Sequence, residues 1–124
     1  MSKYHNKKVE YDNIKFDSLK ERDYYIDLCL MEKEGEINDF LVHPREILIE
    51  GAPYKTRDQF GRIVEKKSRK MTYAPDFIVF HDGFTEFIEI KGGNATKTQA
   101  WNLKWKMLIK KYEGVPGYVF TIID

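Results

Sequence analysis

Asp82-Gly83 stands between two runs of alternating apolar residues, in the stretch Thr72 to Gly92 that reads TYAPDFIVFHDGFTEFIEIKG. Asp-Gly in that setting predicts a β-hairpin, because both central positions of the tight turn need positive φ. With a loop of only those residues, His81 faces Phe84. Counting outward pairs Phe80 with Thr85, Ile78 with Phe87 and Asp76 with Glu89. Side chains alternate along a strand, so Asp76, Ile78 and Phe80 share a face with Phe87, Glu89 and Lys91. Facing Cβ atoms lie roughly 4.5–5.5 Å apart, and like charges there destabilise the pair. A sheet that only had to fold would avoid opposed carboxylates. A site for a divalent cation requires them.

A chain of 124 residues can bury the core of one domain, and one domain over 1–124 is the expectation. The net charge of +1 argues against a generic polyanion binder, but the charge is unevenly placed. The single cysteine, Cys29, excludes an intrachain disulfide framework. It reads as a small buried apolar residue and fits a reducing cytoplasm. No apolar run approaches the roughly 20 residues of a membrane span, and the MSKYHNKK start lacks the apolar core of a signal peptide. A cytoplasmic protein without a membrane partner is therefore expected.

Residues 1–8 are polar and basic and read as a mobile arm. Next, Val9 to Phe16 alternates around Asp12-Asn13 and predicts a small hairpin. Asp17 to Glu34 predicts a helix, with Ser18 and Glu21 spaced as a capping box, Gly35 as its stop and Tyr24, Tyr25, Leu28 and Met31 as its buried stripe. Glu21 has two readings. It can complete the capping box, or, lying on the core side with Tyr24, Tyr25 and Leu28, it can reach a site on the adjoining sheet. From Asp17 to Asp39 eight acids oppose three bases, an acidic face turned away from any nucleic acid. Arg45 to Glu50 reads as a strand after a loop at His43-Pro44. No second His or Cys sits at ligand spacing from His43, so it reads as a lone histidine.

Between Tyr54 and Lys70 the cations Lys55, Arg57, Arg62, Lys66, Lys67, Arg69 and Lys70 are opposed only by Asp58 and Glu65. Asp58-Gln59-Phe60-Gly61 can turn, which predicts a β-ribbon with basic flanks. Such a ribbon can contact phosphates and enter a groove, although a charge run is also a common solvated face. After the central hairpin, Gly92-Gly93-Asn94 forms an exit and Thr96 or Thr98 caps a second helix. Trp101, Trp105, Leu108 and Tyr112 give that helix one apolar stripe. Lys97 and Lys104 lie off the stripe and join the expected DNA contacts. Tyr118 to Ile123 reads as a closing strand, apolar enough for burial on both faces. Helix, strands, helix and strand predict an α/β fold with a mixed sheet and helices against it.

Opposed Asp and Glu suit a hard cation such as Mg²⁺, with Mn²⁺ as a substitute. Lys91, cationic and on the same face, suits electrostatic stabilisation of a pentavalent phosphate better than general-base work. Pro75-Asp76 followed by Glu89-Ile90-Lys91 resembles the PD-(D/E)xK signature of the restriction-endonuclease-like superfamily. KYHNKKVEYDNIKFDSLKERDYY, the basic segment, TYAPDFIVF and FIEIKGG together resemble a family of phage-encoded endonucleases similar to Holliday junction resolvases. The resemblance implies a restriction-endonuclease-like αβββαβ core and Mg²⁺-dependent hydrolysis of branched DNA, with four-way junctions as substrate. It implies a homodimer, since two strands of like polarity must be cut. It also implies metal ligation by Asp76, Glu89 and the Ile90 backbone carbonyl, with Glu21 joining from the first helix and Lys91 acting in catalysis. The stretch Thr56 to Lys70 is longer than the connection usual in that family. Cleavage of linear duplex, flaps or single strands, and DNA binding without cleavage, are the alternatives.

Overall fold

The computed structural model describes residues 8–91 and 98–124. The expected arm (save Lys8), the Gly92-Gly93-Asn94 exit and Lys97 lie outside the described residues. Strands β1 (Val9–Tyr11) and β2 (Ile14–Phe16) form the first hairpin. Asp12 and Asn13 both take positive φ there, 58° and 62°, the requirement of a tight hairpin turn. Asp12 then accepts a 2.6 Å hydrogen bond from the Tyr25 hydroxyl, which ties the hairpin to helix α1 (Leu19–Lys33). Ser18 caps α1, its Oγ accepting from the Glu21 N–H at 3.1 Å. Gly35, at φ +79°, takes the left-handed position that ends the helix.

After α1 come β3 (Asp39–Val42), β4 (Glu46–Ile49), β5 (Pro53–Arg57), β6 (Ile63–Lys67) and β7 (Met71–Tyr73). They are followed by β8 (Phe77–Phe80), β9 (Thr85–Ile90), α2 (Gln99–Lys111) and β10 (Tyr118–Ile123). The principal sheet has the order β10-β9-β8-β3. β3 and β8 are antiparallel, β8 and β9 are antiparallel, and β9 and β10 are parallel. A parallel pair needs a crossover, and α2 supplies it. In chain order the sheet and its helices run α1, β3, β8, β9, α2, β10. The architecture is therefore mixed α/β, with a sheet between two helices.

Period two explains how the helices divide the sheet. Phe77, Val79, Ile88 and Ile90 pack with Tyr25 and Leu28 of α1. Ile78 and Phe87 pack on the other side with Trp105 and Leu108 of α2. The α2 side is an aromatic layer: Phe87 stacks on Phe120 at 5.3 Å between ring centroids and 6° between planes, with the Tyr112 ring 5.4 Å away. Each such pair adds about 0.5–1.5 kcal/mol to the area buried. The predicted stripe of Trp101, Trp105, Leu108 and Tyr112 faces this layer.

The Asp82-Gly83 hairpin has the expected register, although of its two turn residues only Gly83, at φ +90°, takes the positive φ expected of both. Phe80 pairs with Thr85, Ile78 with Phe87 and Phe77 with Ile88, and the His81 N–H donates to the Phe84 carbonyl at 2.9 Å. Two further expectations need correction. β10 is an edge strand with one neighbour, so Val119 and Ile122 are exposed and the strand is not buried on both faces. β3 is a strand of its own, with Phe40 and Val42 on the core and Leu41 exposed. Between β3 and β8 the chain makes two small ladders. β4 pairs with β7, and β5 with β6, the predicted basic ribbon. Gly51 sits where the ribbon leaves β4; a Cβ there would come 2.3 Å from the Ser68 carbonyl oxygen, so a larger residue would force the ribbon's base apart.

Candidate functional site

Asp76 lies one residue before β8, at the place the register sets opposite Glu89. Local chemistry explains why its carboxylate turns inward. His81 and Phe84 form a hydrogen-bonded pair, so alternate pairs outward exchange bonds too, ending at Pro75 and Ile90. Pro75 has no N–H. It cannot donate to the Ile90 carbonyl, and the ladder stops. The Ile90 N–H, left over at the same point, donates instead to Asp76 Oδ2 at 2.6 Å. The Pro-Asp pair thus holds a carboxylate over the strand end and leaves the Ile90 carbonyl without a β8 donor.

Glu21 reaches this end from α1. It is 2% exposed, against 8% for Asp76 and 6% for Glu89, so all three carboxylates are buried. The Glu21 N–H completes the forward half of the capping box on Ser18, but its carboxylate is directed to His43. His43 Nε2 lies 2.6 Å from Glu21 Oε1. The backbone of His43 is pinned at the same place, its N–H donating to the Asp76 carbonyl at 3.0 Å. Its φ is +50°, unusual for a residue other than glycine, and such strain persists where the surroundings enforce it. The hydrogen bond to Glu21 raises the imidazole pKa above the ordinary value; burial opposes that shift and the Glu21 charge adds to it. Ligand atoms of Glu21, His43 and Asp76 all lie within 4.8 Å of one another. His43, which reads as a lone histidine in the sequence, is thus one of the site residues that sequence reasoning missed.

Glu89 is held from the α2 side. The Tyr73 hydroxyl donates to Glu89 Oε1, and Trp101 Nε1 donates to the Tyr73 oxygen at 2.9 Å. Burial, then the Glu89 carboxylate, push the Tyr73 phenol well above its ordinary pKa, so it stays a donor. Glu89 is not part of the cluster of Glu21, His43 and Asp76; its Cα faces Asp76 across the hairpin while its side chain is anchored by Tyr73. Lys91 follows β9 directly. Its amine pairs with Asp124 at 3.7 Å and is about half exposed, with a side-chain exposure of 47%, and its carbonyl accepts from Lys20 Nζ at 3.2 Å. Lys91 is therefore at the strand end but directed to the Asp124 side chain.

The DUF1064 family model, described as "Protein of unknown function (DUF1064)", matches residues 1–121. The chain belongs to that family. No curated protein and no solved structure matches the chain. In this DUF1064 chain the donors could hold a metal ion: carboxylate oxygens of Asp76 and Glu21 beside His43, with Glu89 opposite Asp76 in the register and a strand-end carbonyl with no β8 donor. Of the expected DNA contacts, Lys55, Arg57, Arg62, Lys66, Lys67, Arg69 and Lys70 are all exposed on or beside the ribbon, while Lys104 is half-buried on α2.

Proposed function

We propose that this chain is a Mg²⁺-dependent DNA endonuclease with a restriction-endonuclease-like core, acting on branched DNA. The observation that carries the reading is the placement of Asp76. The hairpin register sets it opposite Glu89, its carboxylate is held on the Ile90 N–H, and Glu21 and His43 close around it. The sheet order with α1, β3, β8, β9, α2 and β10 in sequence supports the αβββαβ core that the signature implies. Asp76, Glu89 and the Ile90 carbonyl would hold the cation, and Glu21 would assist. A bound Mg²⁺ would supply charge stabilisation for a phosphate and a water of lowered pKa. His43 positions Glu21, and Tyr73 positions Glu89. Lys91, released from its exposed pairing with Asp124, contributes positive charge to the phosphate oxygens. Water oxygen bonds to phosphorus as the P–O3′ bond breaks, leaving a 5′-phosphate and a 3′-hydroxyl. Four-way junctions are the favoured substrate, cut by a symmetric homodimer in a phage or prophage setting.

One observation favours a second reading, DNA binding without cleavage: the Lys91 amine is engaged in a pair with Asp124. Labelled four-way junction, flap and linear duplex, incubated with Mg²⁺ or with chelator beside Asp76→Asn, separate the readings. Junction cleavage that needs Mg²⁺ and Asp76 supports the nuclease. Binding without cutting in every condition supports the accessory protein, and chelator-resistant cutting removes the metal mechanism.

A further inference from the structure

The β5–β6 ribbon ends in a turn that is far more ordered than an exposed loop requires. The Asp58 N–H donates to the Arg62 carbonyl at 2.9 Å, and the Gly61 N–H donates to the Asp58 carbonyl at 3.0 Å. Asp58 Oδ1 accepts from the Phe60 and Arg62 N–H groups, both at 2.9 Å, and Oδ2 accepts from Arg62 Nε at 2.9 Å. Arg57 closes the cage with a 2.8 Å bond to the Gly61 carbonyl. Gly61 takes φ +79°, the left-handed position such a turn needs. The residue this cage presents is Phe60, 71% exposed, more than any other large apolar side chain among the described residues. Beside it the Arg62 guanidinium lies 5.1 Å from the ring centroid. A turn held by its own polar bonds has no packing need for a phenyl ring.

The stem below is cationic. Lys55, Lys66, Lys67, Arg69 and Lys70 are exposed and make no ion pair among the described residues. Ladder pairs from Pro53↔Lys67 to Arg57↔Ile63 give a stem of roughly 15 Å, at about 3.4 Å per residue. Glu65, opposite Lys55 in the ladder, is the one acid of the two stem strands, and the positive charge in excess of it selects a polyanion. A rigid aromatic at its end selects a π-face, and every base has one. We propose that the ribbon probes interrupted base stacks in DNA: the stem lies along phosphates, and Phe60 stacks into the opening at a branch point, backed by the Arg62 guanidinium. The identity of the polyanion as DNA rests on the nuclease reading above.

The test uses the native protein with chelator, so that no strand is cut, and a four-way junction carrying 2-aminopurine at the branch point. The native protein should raise the 2-aminopurine fluorescence at the branch and leave the same base in intact duplex unchanged. Phe60→Ala should abolish that rise and weaken junction binding about 5- to 150-fold, the range that a base–aromatic stack supplies. It should leave linear-duplex affinity, the salt slope and the melting temperature unchanged, and Phe60→Trp should restore the signal. A fluorescence rise that survives Phe60→Ala, or equal losses on junction and linear duplex, would overturn the wedge while leaving the nuclease reading intact. Loss of self-association in Phe60→Ala with full junction affinity would assign the tip to a second copy of the chain and also overturn it. Failure of the native protein to bind any DNA would remove the nuclease reading itself.

Discussion

Divalent cations should stabilise the folded protein, and Asp76 should be necessary for the effect. Without a cation, Glu21 and Asp76 present carboxylate oxygens within 4.8 Å of each other in a buried cluster. At an effective dielectric constant near 20, two unit charges at that separation repel by about 3 kcal/mol. The His43 imidazole and the Ile90 N–H are among the groups that offset this, and a bound cation would offset it further. By mass action, a cation at about 100 times its dissociation constant adds about 2.7 kcal/mol of stability. With about 2.1 cal/mol/K of unfolding entropy per residue, that gain raises Tm by about 10 °C for a chain of this length. Asp76→Asn keeps an oxygen to accept the Ile90 N–H, so the variant should fold. Metal-free, it should melt at or above the native temperature, and its response to Mg²⁺ or Mn²⁺ should fall to near zero. Thermal melts monitored by circular dichroism, with chelator and then with each cation, read both effects. The reasoning fails if native protein shows no shift at roughly 20 mM of either cation, above the usual range for weak carboxylate sites. It fails equally if Asp76→Asn keeps the full shift.

Tyr73→Phe removes a buried donor from Glu89 and the hydroxyl that accepts from Trp101; it should cost about 1.5–3 kcal/mol in urea unfolding, and an unchanged midpoint would show that Glu89 is held by other means. His43 has a raised pKa in the fold, so in chelator its pairing with Glu21 contributes fully below about pH 6.5, the ordinary histidine value, and fades as pH rises through the higher folded value. Urea midpoints across that range should fall for native protein and lie flatter for His43→Gln; parallel profiles would contradict the pairing. Neutralising Lys66, Lys67, Arg69 and Lys70 should lower the slope of log affinity against log salt on duplex DNA by about 0.9 for each phosphate that is no longer neutralised. An equal slope would mean that the ribbon's base faces away from the duplex.

What could be read from the sequence was mostly local. The two-residue Asp82-Gly83 loop sets the register by its length, so the facing positions of Asp76 and Glu89 follow from the sequence even though Asp82 does not take positive φ. The helix α2 stripe followed in the same way from its period. Asp12-Asn13 announced the first hairpin because both residues tolerate positive φ. His43 was not legible. It joins the site because β3 pairs with β8 and carries its N–H to the Asp76 carbonyl, and no spacing within the sequence encodes that pairing. Tyr73 was hidden for a related reason: its partner, Glu89, lies on β9, across the sheet from the β4–β7 ladder that places it. β10 misled in the opposite sense. Its apolar composition suits burial on both faces, but composition does not count neighbouring strands, and the edge leaves Val119 and Ile122 in water.

The central claim is that the strand end around Asp76 holds a divalent cation, and diffraction from crystals grown with Mn²⁺ tests it most directly. Anomalous scattering should give a peak bounded by the Asp76 carboxylate, with the Ile90 carbonyl, Glu89 or Glu21 completing the ligands, and Asp76→Asn crystals should lack it. No peak there at saturating Mn²⁺, or a peak unchanged in the variant, would contradict the account.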